Sequence, residues 1–209
     1  LLLHSALDWE MSRRLLKMIA ATGFLVAAIG AGAASCPYGR VLFIGLVMSW
    51  FGDLLLTFSG QIWFLAGLIA FLLGHVSYGI GFLSYERHIR RTGVTLAVLL
   101  LPAAGLLWWM WNGIPVTLQA AVVVYVIIIT VMVALAAGTV GAPGGRLAVT
   151  GAFLFYLSDI FVARGQFVTD DWMNANIGLP LYFAGQLFLA ASIAPVSRID
   201  SPYAPAAEA

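Results

Sequence analysis

The chain has 209 residues, of which 62% are hydrophobic and 9% are charged, and its mean hydropathy is +1.00. A chain with so few polar residues cannot cover the surface of a water-soluble globule, whereas lipid solvates an apolar exterior directly. The formal charge of +1 comes without a run of Lys or Arg, so no nucleic-acid partner is expected. The single cysteine, Cys36, excludes an intramolecular disulfide and a cysteine-ligated metal site. The composition predicts a multi-pass integral membrane protein surrounded by membrane lipids, and we expect it in the cell membrane.

The first residues read LLLH, without a basic segment ahead of an apolar one, so no signal peptide is predicted. We expect them to be the end of a helix. Apolar runs of about twenty residues between polar or Gly/Pro breaks then predict seven further transmembrane helices. Their expected ranges are 15–35, 40–59, 62–83, 94–112, 115–140, 146–164 and 176–195.

These runs predict an all-α polytopic membrane protein with eight transmembrane helices, the first only partly present. They form one transmembrane helical domain over residues 1–198. The segment 199–209 contains two prolines and four alanines after position 201 and is predicted to be a disordered carboxyl-terminal tail.

Positive residues are unevenly shared between the two ends of the predicted helices. One end carries six arginines, whereas the other carries Arg13, Arg14, Lys17 and Arg164. Because cytoplasmic loops are enriched in Lys and Arg, the end with four positive residues is expected to face outward.

Two aspartates lie deep in otherwise apolar runs, Asp53 in the string GDLLL and Asp159 in the string LSDI. An ionisable group at that depth is costly, so a functional role is the default expectation, and a structural hydrogen bond between helices is the alternative. Each aspartate follows an arginine, Arg40 or Arg146, by 13 residues. At 1.5 Å per residue both would lie about 10 Å from the outer end of the membrane, where they could face each other.

The two aspartates also belong to an internal repeat. An offset of 106 residues superposes Gly45 and Asp53 on Gly151 and Asp159, and an offset of 111 superposes the glycines of the next helices. His75 then corresponds to Gln186. Three helices lie between the Asp53 helix and the Asp159 helix, so the two cross the membrane in the same direction and a parallel repeat of helix pairs is predicted.

Other polar residues near the aspartates have two readings each. His75 and Tyr78 share one face of a helix, but His75 is expected several ångströms deeper than the aspartates, on a pocket floor away from the chemistry. A buried neutral imidazole could also be purely structural. Tyr182 and Gln186 could equally be interhelical hydrogen bonds, Ser158 small-residue packing, and Arg164 a snorkelling residue at a helix end.

The ordered strings resemble those of the YhhN-like membrane proteins, a family that includes lysoplasmalogenases. In the first half these are GDLLL at 52–56, FLAG at 64–67, and FLLGH at 71–75 followed by Tyr78. In the second half they are GAFLF at 151–155, LSD at 157–159 and YFAGQ at 182–186. The resemblance covers roughly residues 17–195. The family's usual Lys-Pro-Leu is Lys17-Met18-Ile19 here, a departure that we place outside the expected site.

The resemblance implies an eight-helix hydrolase that cleaves the vinyl-ether bond of lysoplasmalogens. The products would be a fatty aldehyde and glycerophosphocholine or glycerophosphoethanolamine. The substrate would be a lysophospholipid within the bilayer, with its polar head toward Arg164 and the outer loops.

This chemistry suits a pair of carboxyl groups. Burial and a nearby like charge keep a proton on one carboxyl, which protonates the β-carbon, while the ionised partner stabilises the oxocarbenium ion. Asp53 and Asp159 are the expected catalytic residues, and no metal or organic cofactor is required. The expected substrate-binding or supporting residues are His75, Tyr78, Ser158, Arg164, Tyr182 and Gln186.

Two other classes of protein share some of these features. Internal repeats with midmembrane carboxylates are also typical of proton-coupled transporters or channels for a small or lipidic solute. The absence of proline from the Asp53 and Asp159 runs favours an enclosed enzyme pocket over a rocking gate. A membrane scaffold protein without enzymatic activity, the third class considered, would not need buried acidic residues. The sequence lacks nucleophile, zinc-binding and phosphate-loop motifs, which disfavours serine hydrolases, metalloenzymes and ATPases.

Overall fold

A computed structural model describes residues 2–85 and 88–199, with side chains described from residue 11 onward. Within these residues the secondary structure is helical and contains no β-strand. The helices are α1 (Leu2–Gly30), α2 (Pro37–Leu55), α3 (Gln61–Leu83), α4 (Ile89–Met110), α5 (Val116–Gly138), α6 (Gly145–Phe167), α7 (Leu179–Ala191) and α8 (Ile193–Ile199). A short 3₁₀ turn, Trp111–Gly113, follows α4, and a π-helical stretch, Asn174–Gly178, leads into α7.

Six of the described segments are long and apolar enough to cross a membrane. They correspond to α2, α3, α4 with its 3₁₀ turn, α5, α6, and a final span over Asn174–Ile199 that includes α7 and α8. The chain is therefore a multi-pass membrane protein, as its composition predicted.

The amino-terminal part differs from the expectation of two separate helices. A single uninterrupted helix, α1, covers both the supposed helix end and residues 15–30 of the predicted span 15–35. The polar residues between them suggested a break, but no Gly or Pro precedes Gly23 and most of these residues are good helix formers. With α7 and α8 counted as one span, the described residues contain seven long helices, and the predicted eighth is not found among them. The predicted tail, 199–209, lies outside the described residues except for Ile199, which ends α8.

The turn between α2 and α3 is tight and depends on a glycine. Gly60 precedes α3 with φ = 117°, a backbone conformation that residues with a β-carbon rarely adopt. Helix α2 already ends at Leu55, so Asp53 lies two residues before its helix end, whereas Asp159 lies eight residues before the end of α6 at Phe167. The predicted equal distance of the aspartates from their helix ends is therefore wrong.

Helices α2 and α3 form one hairpin, and α6 and α7 form another. In each hairpin the two helices pack closely at glycines. A β-carbon added to Gly74 would lie 3.1 Å from the carbonyl oxygen of Gly45. In the second hairpin, a β-carbon on Gly151 would lie 2.7 Å from the oxygen of Gly185. Small residues at these crossings let the helix backbones approach closely, as is usual where helices pack in lipid.

The two hairpins meet around the ring of Phe155, which is fully buried on α6. Its ring centroid lies 6.0 Å from Phe71, 5.1 Å from Tyr182 and 4.6 Å from His75, all in edge-on geometry. Edge-to-face contacts of this kind favour one relative orientation of the rings. This aromatic cluster therefore fixes the polar side chains of α3 and α7 relative to α6.

Candidate active site

An apolar cavity of about 100 Å³ lies between the two hairpins and α5. Its walls include Leu56, Leu68, Val122, Val126 and Phe167, which come from four different helices or their ends. Its polar lining consists of Lys17, Asp53, Tyr125, Ser158, Asp159, Asn174 and Tyr182. Both predicted aspartates therefore face one apolar space.

Asp53 is 1% exposed and is held by donors on both carboxylate oxygens. The ammonium group of Lys17 lies 3.0 Å from Oδ1, and the phenol of Tyr182 donates a hydrogen bond of 2.5 Å to Oδ2. Hydrogen bonds from charged donors to a carboxylate are stronger than those between neutral groups. The surroundings of Asp53 therefore suit the ionised carboxylate.

Asp159 is held differently, by neutral groups on one oxygen. Tyr125 donates a hydrogen bond of 2.6 Å to Oδ2, and His75 Nε2 lies 2.9 Å from the Tyr125 oxygen and 3.3 Å from Oδ2. No group among the described side chains bonds Oδ1. The side chain of Asp159 is 17% exposed, against 2% for Asp53. Asp159 is thus the more accessible of the two carboxyls and has one oxygen available.

The contacts of His75 define its tautomer. Because the Tyr125 hydroxyl donates its hydrogen bond to Asp159, the Tyr125 oxygen accepts a hydrogen bond from His75 Nε2–H. His75 Nδ1 is buried and has no partner among the described residues, so a second proton there would be unpaired. The geometry favours a neutral imidazole protonated at Nε2.

The expected position of His75, on a pocket floor away from the chemistry, is wrong. Its imidazole contacts Asp159 directly. A depth counted in residues along a helix holds only where neighbouring helices end at the same level, and α2 and α6 extend to different distances beyond their aspartates. Side-chain direction and the actual ends of α2 and α6 decide which groups meet.

Tyr78 and Gln186 form a separate buried network behind the cavity. Tyr78 donates a hydrogen bond of 2.8 Å to Gln186 Oε1, and its oxygen lies 3.3 Å from Ser49 Oγ. Ser158 does line the cavity, but its hydroxyl donates to the carbonyl of Phe155 within the same helix. Of the predicted supporting residues, His75 and Tyr182 are therefore the ones that contact an aspartate.

Arg164 does not line the cavity and is already paired. It forms two hydrogen bonds with the carboxylate of Asp171, of 2.8 and 2.5 Å, and a third of 3.3 Å with Asn174. These bonds from Arg164 hold the pKa of Asp171 below its usual value. The pair joins the end of α6 to the segment that leads into α7, so a structural role fits Arg164 better than the predicted headgroup contact.

Two residues of the cavity, Lys17 and Tyr125, are not among the predicted site residues. The sequence suggests a position outside the site for Lys17, yet Lys17 forms an ion pair with Asp53. A detectable signal existed, because a charged side chain within a membrane helix usually pairs with another. Tyr125 lies alone among the apolar residues of α5, and nothing in its local sequence distinguishes it from a packing residue.

Fold and cavity together define an all-helical, multi-pass membrane protein with two carboxyl groups in one interior space. The sequence model of the YhhN family matches residues 12–193, and the chain belongs to this family. The matched range contains both aspartates and every polar group of the cavity. Comparisons with curated proteins and with solved structures gave no match.

Proposed function

We propose that this protein is a hydrolase that cleaves the vinyl-ether bond of lysoplasmalogens in the cell membrane. The products are a fatty aldehyde and glycerophosphocholine or glycerophosphoethanolamine. One observation carries the proposal: two carboxyls share an apolar cavity but have unequal partners, a cation and a phenol on Asp53, and neutral groups on one oxygen of Asp159. Membership of the YhhN family supports the same assignment.

Asp159 is the general acid. Its Oδ2 is oriented by Tyr125 and His75, which leaves Oδ1 to carry a proton toward the cavity. Transfer of this proton to the β-carbon of the vinyl ether breaks the carbon–carbon π bond and leaves an oxocarbenium ion. A positioned acid of this kind contributes about 10² to 10⁴ in rate.

Asp53 remains ionised and stabilises the oxocarbenium ion. Lys17 and Tyr182 hold this carboxylate in place before the substrate arrives, so little reorganisation is needed when positive charge develops. In an apolar cavity the attraction between carboxylate and cation is stronger than in water.

Water completes the reaction with balanced atoms. Its oxygen bonds to the cationic carbon, and one of its protons returns to Asp159, which gives a hemiacetal. The hemiacetal then loses its hydroxyl proton, its bond to the glycerol oxygen breaks, and that oxygen is protonated. One water is consumed, and Asp159 regains the proton that it donated.

The proposal is tested by incubating the purified protein with an alkenyl lysophospholipid and measuring the released aldehyde. Asp53→Asn and Asp159→Asn should each abolish turnover while leaving a folded protein, because an amide neither donates the proton nor balances the positive charge. Glu208→Gln makes the same chemical change near the carboxyl terminus and should retain activity. Full activity in either aspartate variant contradicts the proposal.

Proton-coupled transport of a small or lipidic solute is the second candidate. The π-helical stretch Asn174–Gly178 supports it, since Asn174 and Gly178 line the cavity and irregular helix ends occur at the binding sites of carriers. The Lys17–Asp53 pair also resembles the charge pairs of such carriers. Proton-driven solute uptake into reconstituted vesicles, without aldehyde release from any lysoplasmalogen, would favour transport.

A further inference from the structure

A second apolar recess, which we call the groove, lies between α3 and α5 and encloses about 250 Å³. Leu68 and Tyr125 line both the groove and the cavity that holds the aspartates. The other residues that line the groove are Ile69, Leu72, Ala120, Ala121 and Val124. The groove therefore adjoins the cavity, with the side chains of Leu68 and Tyr125 between the two spaces.

The groove lies on the lipid-facing surface of the helix bundle. Helices α3 and α5 are both long and apolar enough to cross a membrane. Ile69 and Val124, on the two sides of the groove, are 47% and 46% exposed. Among the described side chains that line the groove, the one polar group is the hydroxyl of Tyr125, which is already hydrogen-bonded. A groove with these walls suits a hydrocarbon chain.

The cavity itself is too small for a long lipid chain. An apolar cavity of roughly 150 Å³ takes up a molecule the size of benzene. The cavity beside the aspartates has only about 100 Å³. It therefore has room for the reacting double bond and a few further carbons, and the rest of the chain must leave through one of its walls.

The proposed chemistry indicates which wall the chain crosses. The chain of an alkenyl lipid is attached to the β-carbon, the atom that Asp159 protonates. Tyr125 donates a hydrogen bond of 2.6 Å to Asp159 and also lines the groove. A β-carbon placed against Asp159 therefore has its chain beside the wall that Leu68 and Tyr125 form.

We propose that the groove holds the hydrocarbon chain of the substrate, and that the chain passes between Leu68 and Tyr125 when it enters or leaves the cavity. This inference rests on the proposed function for the identity of the ligand, and it adds the position of the chain and its path from the bilayer. Since lipid already solvates the chain outside the protein, the groove gains no hydrophobic free energy by binding it. Its contribution is space for a long chain, so the residues of the groove decide which chain lengths the protein accepts.

The chain-length selectivity of a groove variant tests this site. The substrates are lysophospholipids with a hexadecenyl or a butenyl chain. Val124→Trp fills the groove and should lower kcat/KM for the hexadecenyl substrate by at least about ten-fold relative to the wild type, because extra volume is forced into an occupied space. The butenyl substrate, whose chain ends within the cavity, should be turned over as by the wild type.

Ile127→Trp is the matched control. Ile127 also lies on α5, is 54% exposed, and lines neither the groove nor the cavity. This variant should turn over both substrates as the wild type does. An equal loss in Ile127→Trp, or an equal loss on both substrates in a Val124→Trp protein that melts like the wild type, overturns the proposal.

Photo-cross-linking of the wild-type protein locates the chain without relying on a variant or on turnover. The probe is a lysophospholipid with a saturated ether chain that carries a diazirine midway along the chain, added to the protein in lipid nanodiscs. After irradiation, mass spectrometry should find the adduct on residues 68–72 of α3 or 120–125 of α5. Excess unlabelled ether lysophospholipid should remove this adduct, and excess diacyl phospholipid should not. An adduct elsewhere, or equal competition by diacyl phospholipid, overturns the proposal.

The two measurements distinguish failure of this inference from failure of the proposed function. If the adduct lies in the groove but no aldehyde is released from alkenyl lipids, the chain site stands and the hydrolase assignment fails. If aldehyde is released while the adduct lies elsewhere, the hydrolase assignment stands and the chain site fails.

Discussion

Tyr182 donates a hydrogen bond of 2.5 Å to Asp53 and thereby joins α7 to α2 across the interface between the two hairpins. A matching contact comes from the other hairpin, where Nε2 of His75 in α3 lies 3.3 Å from Oδ2 of Asp159 in α6. Each aspartate is thus held by a residue of the hairpin that carries the other aspartate. A change in the packing of one hairpin against the other therefore alters the surroundings of both carboxyls at once.

Lys17 is predicted to stabilise the folded protein as well as the site. Lys17→Met leaves the carboxylate of Asp53 buried without its cation, so we expect a free energy of unfolding lower by about 2 kcal/mol and activity reduced at least about ten-fold. Thermal melting in detergent and the aldehyde assay measure the two effects.

A double substitution separates the role of the ion pair in stability from its role in activity. Lys17→Met combined with Asp53→Asn removes both charges and should regain much of the lost stability, while remaining inactive. Unchanged melting of the single Lys17→Met variant would show that this ion pair contributes little to folding.

The phenol of Tyr125 is predicted to orient the general acid. Tyr125→Phe removes the hydrogen bond to Asp159 while keeping the ring, and we expect kcat to fall by about ten-fold. His75→Ala should also lower kcat, but less than either aspartate substitution, because the imidazole acts through Tyr125 and Asp159. Tyr38→Phe is the matched control, since it removes a buried phenol that bonds Ser192 at 3.0 Å and does not line the cavity. An equally large loss of kcat in Tyr38→Phe would show that the effect of Tyr125→Phe comes from general destabilisation.

Much of the fold was predictable because the helices are long apolar runs separated by Gly, Pro or polar residues. The expected range 62–83 and the observed helix Gln61–Leu83 differ by one residue, and the range 115–140 matches Val116–Gly138 almost as closely. The two buried aspartates stood out for the same reason, since a charge within an apolar run is rare. The prediction of a break in the amino-terminal helix is wrong, because charged residues such as those at 13 and 14 are compatible with a continuing helix.

The partners of the aspartates were harder to predict, because they come from helices far apart in sequence. Tyr125 contacts Asp159 from α5, and Tyr182 contacts Asp53 over 129 residues. One sequence without homologues gives the period of each helix but not its rotation toward its neighbours. Arg164 shows the opposite error, because a basic residue at a helix end suggested a ligand, whereas a nearby acid, Asp171, already binds it.

The close packing of α6 on α7 at Gly151 is predicted to be necessary for the full stability of the protein. A β-carbon on Gly151 would lie 2.7 Å from the oxygen of Gly185 and 2.8 Å from the nitrogen of Leu189, and backbone atoms cannot move aside cheaply. Gly151→Ala should lower the free energy of unfolding by about 1 to 3 kcal/mol. Gly105→Ala on α4 is the control, because nothing lies within 4 Å of its added β-carbon. That substitution should be neutral or stabilise by up to about 1 kcal/mol. Equal melting temperatures of the two variants would contradict close packing at Gly151.

The Arg164–Asp171 pair predicts a pH dependence of stability. Since the hydrogen bonds from Arg164 lower the pKa of Asp171 from its usual 3.8, the folded state favours the ionised form. The stabilisation is fully present above the usual value and is lost as the pH falls through the lowered pKa. The melting temperature of the wild-type protein should therefore exceed that of Asp171→Asn at neutral pH, and the difference should shrink below about pH 4. Arg164→Met should show the same behaviour, and a difference that does not vary with pH would exclude this origin.

The isotopic composition of the products tests the order of proton transfer and attack by water. If a carboxylic acid first protonates the β-carbon, the aldehyde formed in D₂O carries one deuterium at its α-carbon, and the rate shows a normal solvent isotope effect. Attack on the glycerol carbon would expel an enolate that also takes up deuterium there, so the oxygen atom must be followed as well. In H₂¹⁸O the protonation route places the heavy oxygen in the aldehyde, whereas attack at glycerol places it in the glycerophospho product. Because aldehydes exchange oxygen with water, the glycerophospho product is the species to analyse by mass spectrometry. Heavy oxygen in that product would exclude the oxocarbenium ion, and with it the roles assigned to Asp53 and Asp159.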